Sequence, residues 1–354
     1  MFKFDICKKL ETSPHVCNGC ENKHWCRKVK IYYNAEEAQN QYKKELIESR
    51  TNLHYTDYEL NILNNDFYNL VMINKSIYHS LIVINKRGFN FNIKTIYRQI
   101  KYGRLRLKST DLPRSNRKSK NIEKDKTYKR DITGHTYEDY RKYKNENTEL
   151  IEWQMDCVEG IQGKGEPVIL TLQIVEIKFL FIFKLKLHTA EKVLEKLEEV
   201  KSYKDIEKML NIILTDNGHE FINIEKLLEI VPNTKIFYCH PYSGNEKGSI
   251  ENNHEFIRRI IPKGVSLKVY DQEDYNLISN NINSLYREEL DGKCPFDLIE
   301  KYISKETLIK LGYEKIKDEE VRLIPELLGE KNINKIKKYL DSRSIKEANI
   351  RFLK

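Results

Sequence analysis

Apolar residues in the middle of the chain recur at two periods, and the switching between them outlines a domain. Over residues 150–158, Trp153, Met155 and Cys157 alternate with Gln154 and Asp156, the period-2 pattern of a strand with one polar face. The turn Gly163-Lys164-Gly165-Glu166-Pro167 separates this strand from two nearly unbroken apolar runs, 168–174 and 178–187, which read as buried strands. A helical period then covers 190–200, a short apolar strand 212–215, a second helix 222–231 and a strand 235–239. A further helix runs from Ser249 to Ile261 and is stopped by Pro262 and Gly264, residues that end helices. Three antiparallel strands followed by two that alternate with helices is the order of a ribonuclease-H-like (retroviral-integrase-like) α/β domain, placed at 149–300.

Upstream the period is helical throughout. A charged helix spans Ala35–Arg50, and Tyr58–Leu70 carries a stripe of Leu60, Leu63, Phe67 and Leu70. The helix from Lys75 to Asn85 (Ile77, Leu81 and Ile84 on one face) is joined by a Gly-containing loop to a second helix, Ile93–Tyr102. In that second helix Ile93, Ile96, Tyr97 and Ile100 are expected inside, leaving Lys94, Thr95, Arg98, Gln99 and Lys101 outside. Helix, turn and a helix with a basic outer face predict a helix-turn-helix, so 35–107 reads as an all-α DNA-binding domain with Lys94, Thr95, Arg98 and Gln99 as its readers. Another polar helix is expected over Tyr137–Asn147, and one over Tyr275–Leu290. Residues 301–354 form a lysine-rich helical tail to which the sequence gives no chemical role.

Charge sharpens the picture. The 354-residue chain has net charge +9, yet Lys86–Arg130 holds 16 Lys/Arg against 3 Asp/Glu, a local +13 that leaves −4 for the remainder. A segment this basic beside a mildly acidic domain points to a polyanion, here double-stranded DNA. The 108–148 stretch reads as a basic linker or arm, with Arg104 and Arg106 at its approach and Arg114, Arg117, Lys118 and Lys120 within it contacting phosphates. A solvated charge run is the competing reading. No apolar run reaches the roughly 18–20 residues that span a bilayer, and the first residues lack the zones of a secretory signal. Cys157, Cys239 and Cys294 fit reduced core thiols, so a bacterial cytoplasmic, nucleoid-associated location and no membrane partner are expected.

The first zone, 1–34, carries Cys7, Cys17, Cys20 and Cys26 at C-x9-C-x2-C-x5-C spacing. Four thiols around a CxxC can close a tetrahedral zinc site, which would staple so short a segment. His15 or His24 could replace one ligand, and unlinked thiols remain the alternative.

Three acids in three settings carry the candidate chemistry. Asp156 sits on the polar face of the first strand, Asp216 where the 212–215 strand breaks into Asn217-Gly218, and Glu251 in the first turn of the Ser249–Ile261 helix. Two strand carboxylates and one helix carboxylate make a hard-oxygen site suited to two Mg or Mn ions, the apparatus of in-line displacement at phosphorus. Asn217, His219 and Glu220 could orient water or DNA at the mouth of such a site. His254, Glu255, Arg258 and Arg259 share or flank the Glu251 face, and Arg258, Arg259 and Lys263 are candidate phosphate clamps. A DNA-binding repressor without activity and a purely hydrolytic ribonuclease-H-type nuclease are the competing functions.

The strings VCNGCENKHWC, IKTIYRQIKYGRL, DLPR, MDCVEG, ILTDNGHEF and ENNHEFIRRIIPKG resemble, over roughly residues 5 to 329, the DDE transposases of bacterial insertion sequences of the IS-thirty group. The resemblance implies a metal-dependent enzyme that cuts transposon ends and joins their 3′ hydroxyls to target DNA, as a homo-oligomer on DNA. It casts Asp156, Asp216 and Glu251 as the triad. Members usually carry a further helix-turn-helix ahead of the Cys cluster, which this sequence lacks. His240 stands where an Asp is common.

Overall fold

The computed structural model describes residues 7–51, 55–113, 132–161, 165–221, 223–241 and 243–342. Arg114, Arg117, Lys118 and Lys120 lie outside the described residues. The chain falls into two compact units, Met1–Leu60 and Asn61–Lys354. In the first, Cys7, Cys17, Cys20 and Cys26 are half-buried in a run of turns. That run is fastened by Asn18, whose amide donates to the Tyr33 carbonyl at 2.8 Å and whose oxygen accepts from the Tyr33 N–H at 2.6 Å. Helix α1, Ala35–Thr51, follows.

The second unit is entered through α2, Asp57–Ile62, which continues through a π turn, Leu63–Phe67, into α3, Tyr68–Asn74. Leu63, Phe67 and Leu70 are buried as the stripe predicts. Ser76 caps α4, Ile77–Asn85, and Asn92 caps α5, Ile93–Lys101, by accepting from Lys94 N at 2.9 Å. These caps satisfy N–H groups that the helices leave open. The inner face of α5 differs from the expectation at two places. Gln99 is buried, three residues on from buried Ile96 and therefore on its face, whereas Tyr97, about 100° further round, is half exposed. Gln99 is thus withdrawn from the outer face, where Tyr97 joins Lys94, Arg98 and Lys101; Thr95 is half-buried. The approach to the arm is anchored as well. Leu105 and Leu107 are buried, Arg106 N donates to Asn64 Oδ1 at 2.8 Å, and the Arg106 guanidinium lies over the Tyr68 ring.

After α6, Tyr137–Glu146, come β1, Glu152–Glu159, β2, Val168–Ile174, and β3, Phe179–Leu185. Helices α7, Ala190–Lys201, and α8, Lys204–Glu207, lead to β4, Ile212–Thr215; α9, Ile224–Ile230, leads to β5, Lys235–Tyr238. The sheet order is β3-β2-β1-β4-β5, with β1, β2 and β3 antiparallel and β4 and β5 parallel to β1. That order and those directions are the ribonuclease-H-like α/β fold. Alternation along β1 splits its side chains: Trp153 donates its indole N–H to the Met209 carbonyl on one face, and Gln154 accepts from Ile250 N on the other. On this second face lies α10, Gly248–Ile260, followed by α11, Gln272–Asn283, which ends earlier than predicted.

Short helices α12, Pro295–Ile299, and α13, Lys305–Lys310, precede α14, Gly329–Ser342. The tail is part of the core. Val321, Leu323, Leu328 and Ile336 pack with Ile257 and Ile260 of α10, and Asn332 donates to the Ile260 carbonyl at 3.0 Å. Gly264, at φ +91°, lies so close beneath Tyr339 that a Cβ would sit 2.6 Å from its hydroxyl. Among the described residues no helix is long and apolar enough to cross a membrane.

Candidate active site

The register of the sheet brings two of the three acids together. Gln154 of β1 stands beside Leu214 of β4 in parallel, so Asp156 and Asp216, two residues further along each strand, emerge side by side. The carboxyl ends of parallel strands are where α/β sheets place ligands. Glu251 is brought in by the docking of α10. Its neighbour Ile250 donates N–H to Gln154 Oε1 at 3.0 Å, and Asn253 Nδ2 donates to Gln173 Oε1 at 2.7 Å. The first turn of α10 is thereby pinned to β1 and β2.

A residue the sequence reading passed over holds the centre. Lys247, one turn before Glu251, places Nζ 3.0 Å from Asp156 Oδ2 and 3.3 Å from Asp216 Oδ2, with its side chain only 6% exposed. These are ion-pair contacts without hydrogen-bond alignment. Burial alone would lower the lysine pKa, but the Asp156 and Asp216 carboxylates outweigh it and hold the ammonium charged. Burial raises the Asp216 pKa and Asp156 adds to that, against the pull of Lys247. Glu251 is raised by the same sequence of causes: burial first, opposed by Lys247, then reinforced by Asp156 and Asp216. Glu251 therefore senses both strand carboxylates, and an ammonium stands between that strand pair. The only sequence signal for Lys247 was its i−4 spacing from Glu251, which places it beside that residue.

His254 completes the floor. Its Nε2 lies 2.8 Å from Thr171 Oγ1, which itself donates to the Asp156 carbonyl at 2.9 Å. The hydroxyl proton is thus committed, so Nε2 carries the hydrogen and Nδ1, 3.9 Å from Asp156 Oδ2, is left with its lone pair. Burial, then Lys247 and Arg258, depress the His254 pKa to about 3 and keep it neutral.

Other candidates fall elsewhere. Glu220 is buried and faces His188 instead of the site mouth, while Asn217 Nδ2 donates to the Cys239 carbonyl at 3.2 Å. Arg258 is turned inward, donating from Nη2 to the Glu159 carbonyl at 2.6 Å, and burial lowers its pKa. This is a structural contact in place of the expected phosphate clamp. Arg259 donates to the Lys75 carbonyl at 3.3 Å and stacks over Phe256; Lys263 is exposed. His240 is flanked by Glu246 and Glu138 at 2.7 and 2.9 Å. Among the described residues, the one group of three His, Cys, Asp or Glu side chains whose ligand atoms all lie within 4.8 Å of one another is Cys157, His188 and Glu220. Neither the acid triad nor the four N-terminal cysteines forms such a closed group. For Asp156 and Asp216, the Lys247 ammonium stands in the gap.

No protein-family model matches the chain. Among curated proteins, a probable transposase for insertion-like sequence element IS1161 from Streptococcus salivarius is 34% identical over 191 residues, 53% of this chain and 53% of the relative. The transposase InsI for insertion sequence element IS30A from Escherichia coli K12 is 27% identical over 158 residues, 44% of this chain and 39% of the relative. The chain spans about half the length, or less, of the curated relatives it matches. The catalytic core domain of BIV integrase overlaps 45% of this chain and 97% of its own at 19% identity, with a TM-score of 0.32, so the fold assignment stands on strand order and register alone. Over about half its length or less, the chain is similar in sequence to insertion-sequence transposases, the InsI of element IS30A among them.

Proposed function

We propose that the chain is a metal-dependent DDE transposase that cleaves insertion-sequence ends and joins their 3′ hydroxyls to target DNA. The observation that carries this reading is the buried Lys247 ammonium lodged between Asp156 and Asp216. A site that draws a cation out of water into a pocket of carboxylates has the charge and donor chemistry for Mg or Mn. Asp156 would serve both ions, Asp216 one and Glu251 the other. When bound, the two metals supply Lewis-acid activation of the attacking oxygen and neutralise charge at the leaving 3′ oxygen.

The protein's own part is placement. Lys247 holds the two strand carboxylates in register, and a dication held by Asp156 and Asp216 would take the place of its ammonium. Neutral His254, fixed through Thr171, buttresses the backbone of Asp156. The attacker is water in the cleavage step and a DNA 3′ hydroxyl in strand transfer, so no protein nucleophile is needed. Lys94, Arg98 and exposed Tyr97 on α5, with Arg104 and Arg106, face double-stranded DNA, and the arm residues Arg114, Arg117, Lys118 and Lys120 add phosphate contacts. The four N-terminal cysteines would hold one structural zinc if their turns drew together, since among the described residues they do not form a closed ligand group. The protein works as a homo-oligomer on terminal-repeat and target DNA in the bacterial cytoplasm, without a membrane partner.

Asp156→Asn, Asp216→Asn and Glu251→Gln each remove a charged ligand. Each should abolish Mg- or Mn-dependent cleavage of a terminal-repeat duplex while DNA binding is kept. Cleavage surviving in any two of them rules the triad out.

A further inference from the structure

Across β1 from the three acids lies a second cluster, with no part in the phosphoryl transfer proposed above. Cys157, His188 and Glu220 offer ligand atoms that all lie within 4.8 Å of one another. They come from separate places: Cys157 from β1, on the face opposite Asp156; His188 from the loop between β3 and α7; Glu220 from the turn after β4. Gly218 makes room for the last of these, since a Cβ there would stand 2.4 Å from the Glu220 carboxylate.

His188 stands between two carboxylates, Glu220 on one ring nitrogen and Glu159 on the other. His188 Nε2 is 2.9 Å from Glu220 Oε1, yet the contact lacks hydrogen-bond alignment and buried Nε2 has no hydrogen-bond partner. Two ligands on one tetrahedral cation, with bonds of about 2.0–2.3 Å, stand roughly 3–4 Å apart and point past each other. The second ring nitrogen, Nδ1, lies 3.0 Å from Glu159 Oε1, the carboxylate contact that orients a metal-bound imidazole and fixes its tautomer. His219 closes the rim, its ring centroid 4.4 Å from that of His188.

We propose that Cys157, His188 and Glu220 bind a transition-metal dication of zinc type, at a site distinct from the Asp156–Asp216–Glu251 centre. One thiolate, one imidazole and one carboxylate suit zinc and disfavour Mg or Mn, whose partners are oxygens. The incoming ion displaces one proton from His188 Nε2 and one from Cys157 Sγ. Bound there, the ion would tie the end of β1 to the turn that follows Asp216.

The test uses the full-length protein, purified without chelator and dialysed against excess Mg, with zinc measured by elemental analysis. Cys157→Ser and Glu220→Gln should each carry one zinc fewer per chain than wild type. Cys294→Ser, a buried thiol outside the cluster, should carry the same number as wild type. Since either cluster variant could fail to fold, zinc-edge anomalous scattering from zinc-soaked wild-type crystals gives an independent reading. A peak enclosed by Cys157, His188 and Glu220 is expected. No peak there, or equal zinc in wild type and both folded cluster variants, overturns the site.

Discussion

Replacing Lys247 with Met keeps the length of the side chain and removes only the ammonium, which isolates its electrostatic part. Deleting one partner of a buried ion pair costs about 3–5 kcal/mol, because the other charge is left without compensation. Lys247 and Asp156 are 6% and 16% exposed, but Asp216 is 43% exposed and water can serve it, so the lower end, about 3 kcal/mol, is expected in metal-free protein. The same ammonium must leave both carboxylates before a dication enters. Met in its place should therefore tighten Mg or Mn binding by up to about 3 kcal/mol, roughly 100-fold. The assay is thermal or denaturant unfolding of wild type, Lys247→Met and Lys247→Arg across a Mn titration. The Met variant should be less stable without metal and regain most of the deficit at saturation, while Arg should follow wild type. Equal metal-free stability together with equal Mn affinity in wild type and Met variant would refute the placeholder role of the ammonium.

Three further outcomes are expected. Replacing Cys17 and Cys20 by Ser should remove one zinc per chain and loosen the N-terminal turns, read by elemental analysis and proteolysis; unchanged zinc would leave the four cysteines as plain thiols. Neutralising Arg114, Arg117, Lys118 and Lys120 should weaken binding to all DNA alike and flatten the salt slope by up to about 0.9 log unit per lost contact. Arg98→Ala should instead reduce discrimination of terminal repeats from random duplex, as a salt titration on both DNAs will show. His79, whose Nδ1 accepts from Tyr286 N at 3.1 Å and whose Nε2 meets the Asp318 carbonyl at 2.9 Å, has a pKa lowered chiefly by burial. Its folded value lies below its unfolded one, so its contribution is present above about pH 6.5 and lost as pH falls below that. Wild type should lose more stability than His79→Gln in that acid range, and parallel pH profiles would contradict the assignment.

The sheet was readable because period 2 and period 3.6 alternate cleanly between 150 and 261, while the register that pairs Gln154 with Leu214 is supplied by the structure. Asp156 and Asp216 were placed together from sequence by the order of their strands. Lys247 was not, because a lysine four residues before a glutamate on a helix reads as a surface pair, and only the convergence of two strands makes it a buried one. Gln99 and Tyr97 exchanged faces because polarity was given more weight than angle: a glutamine can be buried at i+3 from Ile96 while a tyrosine keeps its hydroxyl wet. Arg258 likewise reads as a free cation until the Glu159 carbonyl is seen opposite it. The Cys157–His188–Glu220 cluster spans 63 residues of sequence, with no spacing rule that would flag it.

The Leu323 N–H donates to the Ile73 carbonyl at 2.8 Å, closing a loop of 250 residues between the end of α3 and the last third of the chain. A chain synthesised at roughly 5–20 residues per second needs on the order of 10–50 s to supply the second partner after the first has emerged. Throughout that interval α4 and the turn after it lack the segment that receives His79, Lys86 and Arg87. The sheet, whose strands lie within about 90 residues of one another, can form earlier. Folding of the nascent protein is thus ordered against its sequence: the middle first, and α4 in its final contacts only once the far end has arrived.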